Sequence, residues 1–147
     1  LSGCDNQTGS WLLKLLYAEE GMIGSERVTS KPIVIAGVVS FTTFIPDTDV
    51  CAGNGEAWLY ALDYTTGCPV NVFDINGDGN ADDNDKVTDE ETDEEYTVIG
   101  VNIGNGEASD LTFDGKFIWY NTTVDGSESG KTGGLDLSAA LKAWRQL

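Results

Sequence analysis

Oxygen-bearing side chains stand at alternate positions in the stretch DINGDGNADDND, residues 74–85. Counted from the first residue, the first, third, fifth and ninth positions of a twelve-residue calcium loop fall on Asp74, Asn76, Asp78 and Asp82. A glycine stands at the sixth position, where such a loop makes its sharp turn. Hard oxygen ligands at this spacing are those that Ca²⁺ prefers. The sequence therefore predicts a calcium loop over residues 74–85.

The twelfth position of this loop holds Asp85. Calcium loops normally have Glu there, because its longer side chain reaches the ion with both oxygens. Asp85 would reach the ion with one oxygen or not at all, and Asp82 could supply that ligand instead. The alternative is an acidic, solvated turn without a metal. Because crowded carboxylates repel one another, we expect the loop to become ordered only when metal binds.

Charge and length restrict the possible partners. The chain of 147 residues has 8 basic and 25 acidic residues, for a formal charge of −17. Such a field repels phosphate backbones and anionic lipids, so we expect no nucleic acid partner. No apolar run approaches the ~20 residues that span a bilayer, so we expect no membrane insertion. The length predicts one domain over residues 1–147.

Catalysis is not expected. The chain has no histidine, which excludes Ser-His-Asp and Cys-His chemistry and removes the commonest zinc ligand. A pair of carboxylates could support glycoside hydrolysis, but among 25 acidic residues no pair stands out. We therefore predict a protein that is not an enzyme.

Acidity is concentrated after the loop, in the segment 86–96, which contains the run DEETDEE. Such a run is typical of a solvated, mobile segment, and weak calcium sites are the alternative. Of the three cysteines, Cys51 and Cys68 bracket a short segment that a disulfide could close. Cys4 would then be free or paired outside this sequence. Disulfides and millimolar calcium both occur outside the cell, so we expect an extracellular protein.

Short β-rich runs separated by turn residues predict an all-β fold. The predicted strands are residues 26–30, 33–36, 38–44, 56–63, 98–103 and 117–124, with turns at Gly37, Thr66–Gly67 and Asp114–Gly115. The apolar segment 11–17 is compatible with a strand or one helical turn, and residues 135–146 with a short helix or a closing strand. We predict short antiparallel strands in a β-propeller-like or sandwich-like domain.

Several short motifs in order resemble the C-terminal region of the PilY family, the type IV pilus tip-associated adhesins and assembly factors. They are residues 9–11 (GSW), 24–28 (GSERV), 31–34 (KPIV), 41–46 (FTTFIP), 58–67 (WLYALDYTTG), the acidic loop from residue 73, and 144–147 (WRQL). The motifs are dense between residues 9 and 87 and sparse afterwards. Each motif alone is weakly specific, and their order carries the resemblance.

The resemblance implies a β-propeller-like region, calcium-responsive pilus extension and retraction, and surface adhesion at the bacterial cell surface. It carries the family's calcium-binding roles onto Asp74, Asn76, Asp78, Asn80 and Asp82, with Asn80 acting through its backbone carbonyl. Asp85 is added by the twelve-residue spacing alone. The expected cofactor is therefore Ca²⁺.

Family members are much longer, and 147 residues supply only one or two propeller blades. A partial propeller exposes strand edges, which favour strand addition. We therefore expect the partner to be pilus subunits or the remainder of a larger pilus-tip protein. One alternative is self-association through strand edges into an extracellular fibre or matrix. Another is a carbohydrate-binding module that uses an exposed pair of the tryptophans Trp11, Trp58, Trp119 and Trp144.

Overall fold

The computed structural model describes residues 10–15, 26–47, 55–123 and 132–137. These residues form ten strands and no helix: β1 Arg27–Val28, β2 Ile33–Ile35, β3 Val38–Pro46, β4 Gly55–Asp63, β5 Lys86–Thr88, β6 Glu95–Thr97, β7 Gly100–Asn105, β8 Thr112–Phe113, β9 Phe117–Asn121 and β10 Thr132–Asp136. The predicted all-β class with short antiparallel strands is confirmed. Nothing in the described ranges is a helix long and apolar enough to cross a bilayer.

The strands form two sheets and a separate hairpin. In the larger sheet the order is β1, β3, β4, β7, and β2 also pairs with β3. Its centre is the antiparallel pair β3–β4, which runs from Val38 opposite Asp63 to Pro46 opposite Gly55. The smaller sheet has the order β10, β9, β8, and β5 pairs with β6 alone. Every pairing within these elements is antiparallel.

Alternation along β4 gives the larger sheet two different faces. Ala57, Leu59 and Ala61 are buried, with at most 2% of each side chain exposed. Trp58 and Tyr60 project from the opposite face, because successive side chains of a strand alternate. The sequence pattern of this strand therefore fixes which face enters the core.

The core lies between the buried face of β4 and the smaller sheet. Ile118 on β9 and Leu137 after β10 are fully buried in the same cluster as Leu59. Val72 and Phe73 belong to this cluster too, with 4% and 6% exposure. The residues just before the predicted calcium loop are therefore anchored in the core.

Two local features stabilise the turns of the larger sheet. Ala36 and Gly37 have φ of 49° and 81° and form the two-residue turn between β2 and β3, where positive φ at both positions matches the strand twist. At the end of β4, the indole Nε1 of Trp11 donates to the carbonyl of Tyr64 at 2.9 Å. A Cβ on Gly67 would lie 2.6 Å from the Trp11 ring, so the absence of a side chain there permits this packing.

Three segments have a structure that the sequence left open or described differently. The acidic segment 86–96 forms nearly all of the β5–β6 hairpin, and the residues of this segment are exposed, as expected for a solvated segment. Leu135 and Asp136 belong to strand β10, which is the closing-strand alternative, while residues 138–147 lie outside the described residues. Residues 11–15 form no regular element.

Candidate calcium loop

The predicted loop is exposed in its middle and fixed at both ends. Residues 74–80 are exposed. Before them, Val72 and Phe73 are buried in the core. At the other end Asp85 is only 2% exposed and directly precedes strand β5. The loop therefore connects the core to the β5–β6 hairpin.

The carboxylate of Asp85 joins the two ends of the loop. Its Oδ1 accepts hydrogen bonds from the backbone N–H groups of Ile75 at 2.7 Å and Asn76 at 3.1 Å. Its Oδ2 accepts from the N–H of Asp82 at 2.8 Å. These bonds, led by those from Asp82 and Asn76, lower the pKa of Asp85 below its ordinary value. The carboxylate is therefore ionised at neutral pH and holds the loop closed from the inside.

Asp74 is surrounded by the backbone of the first half of the loop. Its Oδ1 accepts N–H bonds from Gly77 at 2.7 Å and Asp78 at 3.1 Å, and its Oδ2 accepts from Gly79 at 2.9 Å. Gly77 and Gly79 have φ of 76° and 90°, a region that glycine enters without steric cost. The two glycines therefore let the chain turn around the carboxylate, as the motif predicts at its sixth position.

Each remaining side-chain oxygen at a predicted ligand position holds a local turn. The Oδ1 atoms of Asn76, Asp78 and Asp82 each accept the N–H two residues further on, at 2.9, 2.8 and 2.8 Å. Such Asx turns replace backbone turns. The amide Nδ2 of Asn80 donates to Asp78 at 3.3 Å. The expected use of the Asn80 backbone carbonyl as a ligand stays a prediction.

The side chains at the predicted ligand positions do not converge on one point. Over the part of the chain that the structure describes, no group of three or more His, Cys, Asp or Glu side chains is placed to hold a metal ion. The donor set nevertheless suits calcium, because every donor is a hard oxygen. A carboxylate that accepts an N–H bond keeps further lone pairs for a cation. Asp74, Asp78 and Asp82 are exposed, so an ion from solvent could reach their carboxylates.

Sequence spacing missed the inward orientation of Asp85 and one contact at the base of the loop. The Nδ2 of Asn71 donates to the Oδ1 of Asp83, so the residues before and after the exposed turn are also joined by side chains. The sequence feature that could have predicted this orientation is the short side chain of Asp85. An Asp is too short for the twelfth ligand position and can point towards the base of the loop instead. Its contact with calcium stays a prediction.

The structure describes only one of the two cysteines of the predicted disulfide. Cys68 is disulfide-bonded, and Cys51, the partner expected from the sequence, lies outside the described residues. Cys4 lies outside them as well. The bond at Cys68 fixes the chain six residues before the loop begins.

Comparisons of the chain with protein-family models, with curated proteins and with solved structures found no match. The resemblance to the PilY family therefore depends on the short motifs quoted above.

Replacing Asp85 with Asn should lower the midpoint of thermal unfolding by several degrees at pH 7, because the amide group turns a donor towards backbone donors. The pKa of Asp85 is lowered on folding, so its stabilising effect is present above the ordinary Asp pKa of about 3.9. That effect is lost as pH falls through the folded-state pKa. Asp85→Asn should therefore lose less stability than the unmodified chain as the pH falls from about 5 through the folded-state pKa of Asp85.

The measurement is circular dichroism melting across this pH range in chelator, so that no metal contributes. Glu90→Gln removes the same charge at an exposed position of the β5–β6 turn and should melt like the unmodified chain. Equal acid dependence of Asp85→Asn and the unmodified chain would contradict the role assigned to this carboxylate.

Proposed function

We propose that the chain is a calcium-binding, non-catalytic component of a type IV pilus system, acting at the bacterial cell surface in adhesion or pilus assembly. The observation that carries the calcium part is the loop 74–85, which combines alternate oxygen donors with a glycine turn and is anchored at both ends. The pilus part is supported by the ordered motifs that resemble the PilY family.

Calcium would act on the exposed half of the loop. Asp74, Asn76, Asp78 and Asp82 would hold the ion through side-chain oxygens, and Asn80 through its backbone carbonyl. When bound, the ion supplies positive charge that offsets the mutual repulsion of the carboxylates. The side chains that hold the ion would then limit the motion of the exposed turn, while Asp85 keeps the two ends of the loop together.

Ordering of the loop would be transmitted in two directions. On one side the chain leads to Phe73 in the core. On the other side it leads directly into β5, which pairs only with β6 among the described strands. A two-stranded hairpin is marginally stable alone. On its other side the hairpin leads into β7 through a short connection, where the N–H of Ala61 donates to the carbonyl of Ile99 at 2.9 Å. The orientation of the hairpin therefore depends on the loop and on this connection together, and calcium would act through the loop without any chemical step.

A role within a larger assembly is supported by the edges of the larger sheet. In the described residues its outermost strands are β1 and β2 on one side and β7 on the other. Open edges accept strands from a partner. We propose that the chain joins pilus subunits or the rest of a propeller-like or sandwich-like pilus-tip protein through such an edge.

A second candidate is a self-assembling extracellular fibre or matrix subunit. The observation that favours it is apolar exposure at one edge of the larger sheet, where Val28 on β1 and Val34 on β2 are 51% and 54% exposed. Apolar side chains beside an open edge promote pairing between identical chains. Calcium would then fix the loop within each subunit.

Asp74→Ala and Asp78→Ala should each weaken calcium binding at least about tenfold, because each removes a carboxylate from the exposed half of the loop. The measurement is calorimetric titration of Ca²⁺ into chelator-stripped protein. Glu90→Ala removes a carboxylate outside the loop and should bind like the unmodified chain. Equal calcium affinity in all four proteins would contradict the site.

Sedimentation velocity separates the two candidates. A component of a larger pilus protein should remain a single chain of 15.7 kDa in both millimolar calcium and chelator, because its edge partner is a different chain. A fibre subunit should form large particles that electron microscopy shows to be ordered. Ordered assembly of the chain alone would favour the fibre over the pilus-tip component.

A further inference from the structure

A groove of about 830 Å³ lies beside the face of the larger sheet that points away from the core. Its walls are the β4 side chains Trp58 and Tyr60, the segment 66–70 and the residues 95–100. Ligand pockets typically measure about 300–1,000 Å³, so the groove is large enough to hold a short segment of another chain. The residues of the proposed calcium site do not line it.

The lining combines aromatic rings with carboxylates. Trp58, Tyr60 and Tyr96 supply the rings, and Tyr96 is 38% exposed. Asp63 and Glu95 supply the carboxylates, and none of the lining residues is Lys or Arg. Aromatic faces and carboxylates are both attractive to cations. The lining therefore favours a positively charged ligand.

The two carboxylates remain able to attract a ligand. Burial alone would raise the pKa of Asp63, but hydrogen bonds from Thr65 and Thr66 lower it below its ordinary value. Glu95 lies 3.9 Å from the Nζ of Lys86, and both side chains are well exposed. Exposed pairs at this distance contribute little, so a ligand cation can replace Lys86 beside Glu95.

We propose that this groove binds a basic peptide segment, with lysine or arginine side chains against the aromatic rings and beside Asp63 and Glu95. The formal charge of −17 increases the encounter rate with such a segment. An anionic ligand would be repelled by the same charge. A neutral glycan could stack on the rings, but the net charge of the chain would not attract it.

The calcium loop connects two walls of the groove. Residues 66–70 form one wall and lie shortly before Asp74, while β6 forms another wall and pairs with β5, which starts immediately after Asp85. Both walls are tied to β4 where they meet it, by the hydrogen bonds from the N–H of Asp63 to the carbonyl of Cys68 and from the N–H of Ala61 to the carbonyl of Ile99. The loop can therefore change only the distance from residues 66–70 to the β6 part of the second wall. Calcium should strengthen peptide binding by limiting this separation, and this part of the inference rests on the proposed function.

The test is calorimetric titration of an acetylated, amidated tetra-arginine peptide into the protein, in millimolar calcium and in chelator, after a separate titration of Ca²⁺ alone. The groove variant is Glu95→Gln with Tyr96→Ala, both at exposed positions. The matched control is Glu90→Gln with Trp119→Ala, which removes one carboxylate and one exposed aromatic ring elsewhere. Both variants have the same net charge, so their long-range electrostatic attraction to the peptide is the same. A difference in affinity between them therefore reports on the groove.

The expected result is at least about tenfold weaker peptide binding in the groove variant, from the loss of a cation–π contact and a charge pair together. The control should bind like the unmodified chain. Equal binding by both variants would overturn the groove assignment, as would saturable binding of neutral cellotetraose with none of tetra-arginine.

The comparison of peptide affinity in calcium and in chelator tests the coupling separately from the groove. Binding of Ca²⁺ with no change in peptide affinity would overturn the coupling and leave the proposed calcium site intact. Absence of Ca²⁺ binding in the first titration would overturn the proposed function and the coupling together. The comparison of the two variants in chelator would still decide the groove.

Discussion

The loop and its neighbours depend on the hydrogen bonds that the buried carboxylate of Asp85 accepts. It accepts three backbone N–H bonds from both sides of the exposed turn. A buried charge without such donors would be strongly unfavourable, and buried donors without an acceptor would be unfavourable too. Here the carboxylate and the N–H groups satisfy one another. The base of the loop is therefore fixed without any ion at its exposed surface.

This fixed base lies between two regions of different stability. The core side is held by the nine-residue pairing of β3 with β4 and by the apolar cluster around Leu59. The hairpin side is held by the β5–β6 pairing, by hydrogen bonds around Asp89 in its own turn and by one exposed ion pair between its strands. We therefore expect a change in the loop to move the hairpin and its part of the groove wall more than the central strands.

Sequence reasoning predicted the strands whose side chains alternate and missed the features that depend on contacts distant in the chain. The Ala57, Leu59, Ala61 alternation and the Gly37 turn are local, so strands β2 to β4 were predictable. The β5–β6 hairpin was missed because its acidic composition predicts a solvated segment, and cross-strand pairing cannot be read from charge alone. The groove could not be predicted, because it joins β4 to residues about 40 positions later through the topology of the sheets.

Amide hydrogen exchange across the whole chain, compared in calcium and in chelator, tests the central claim most directly. We predict that calcium slows exchange in residues 74–97, which cover the loop and the hairpin, and leaves exchange in the β3–β4 pairing unchanged. Exchange that is identical in both conditions, or slowed equally throughout the chain, would contradict a loop that orders locally on calcium and transmits that order to the hairpin.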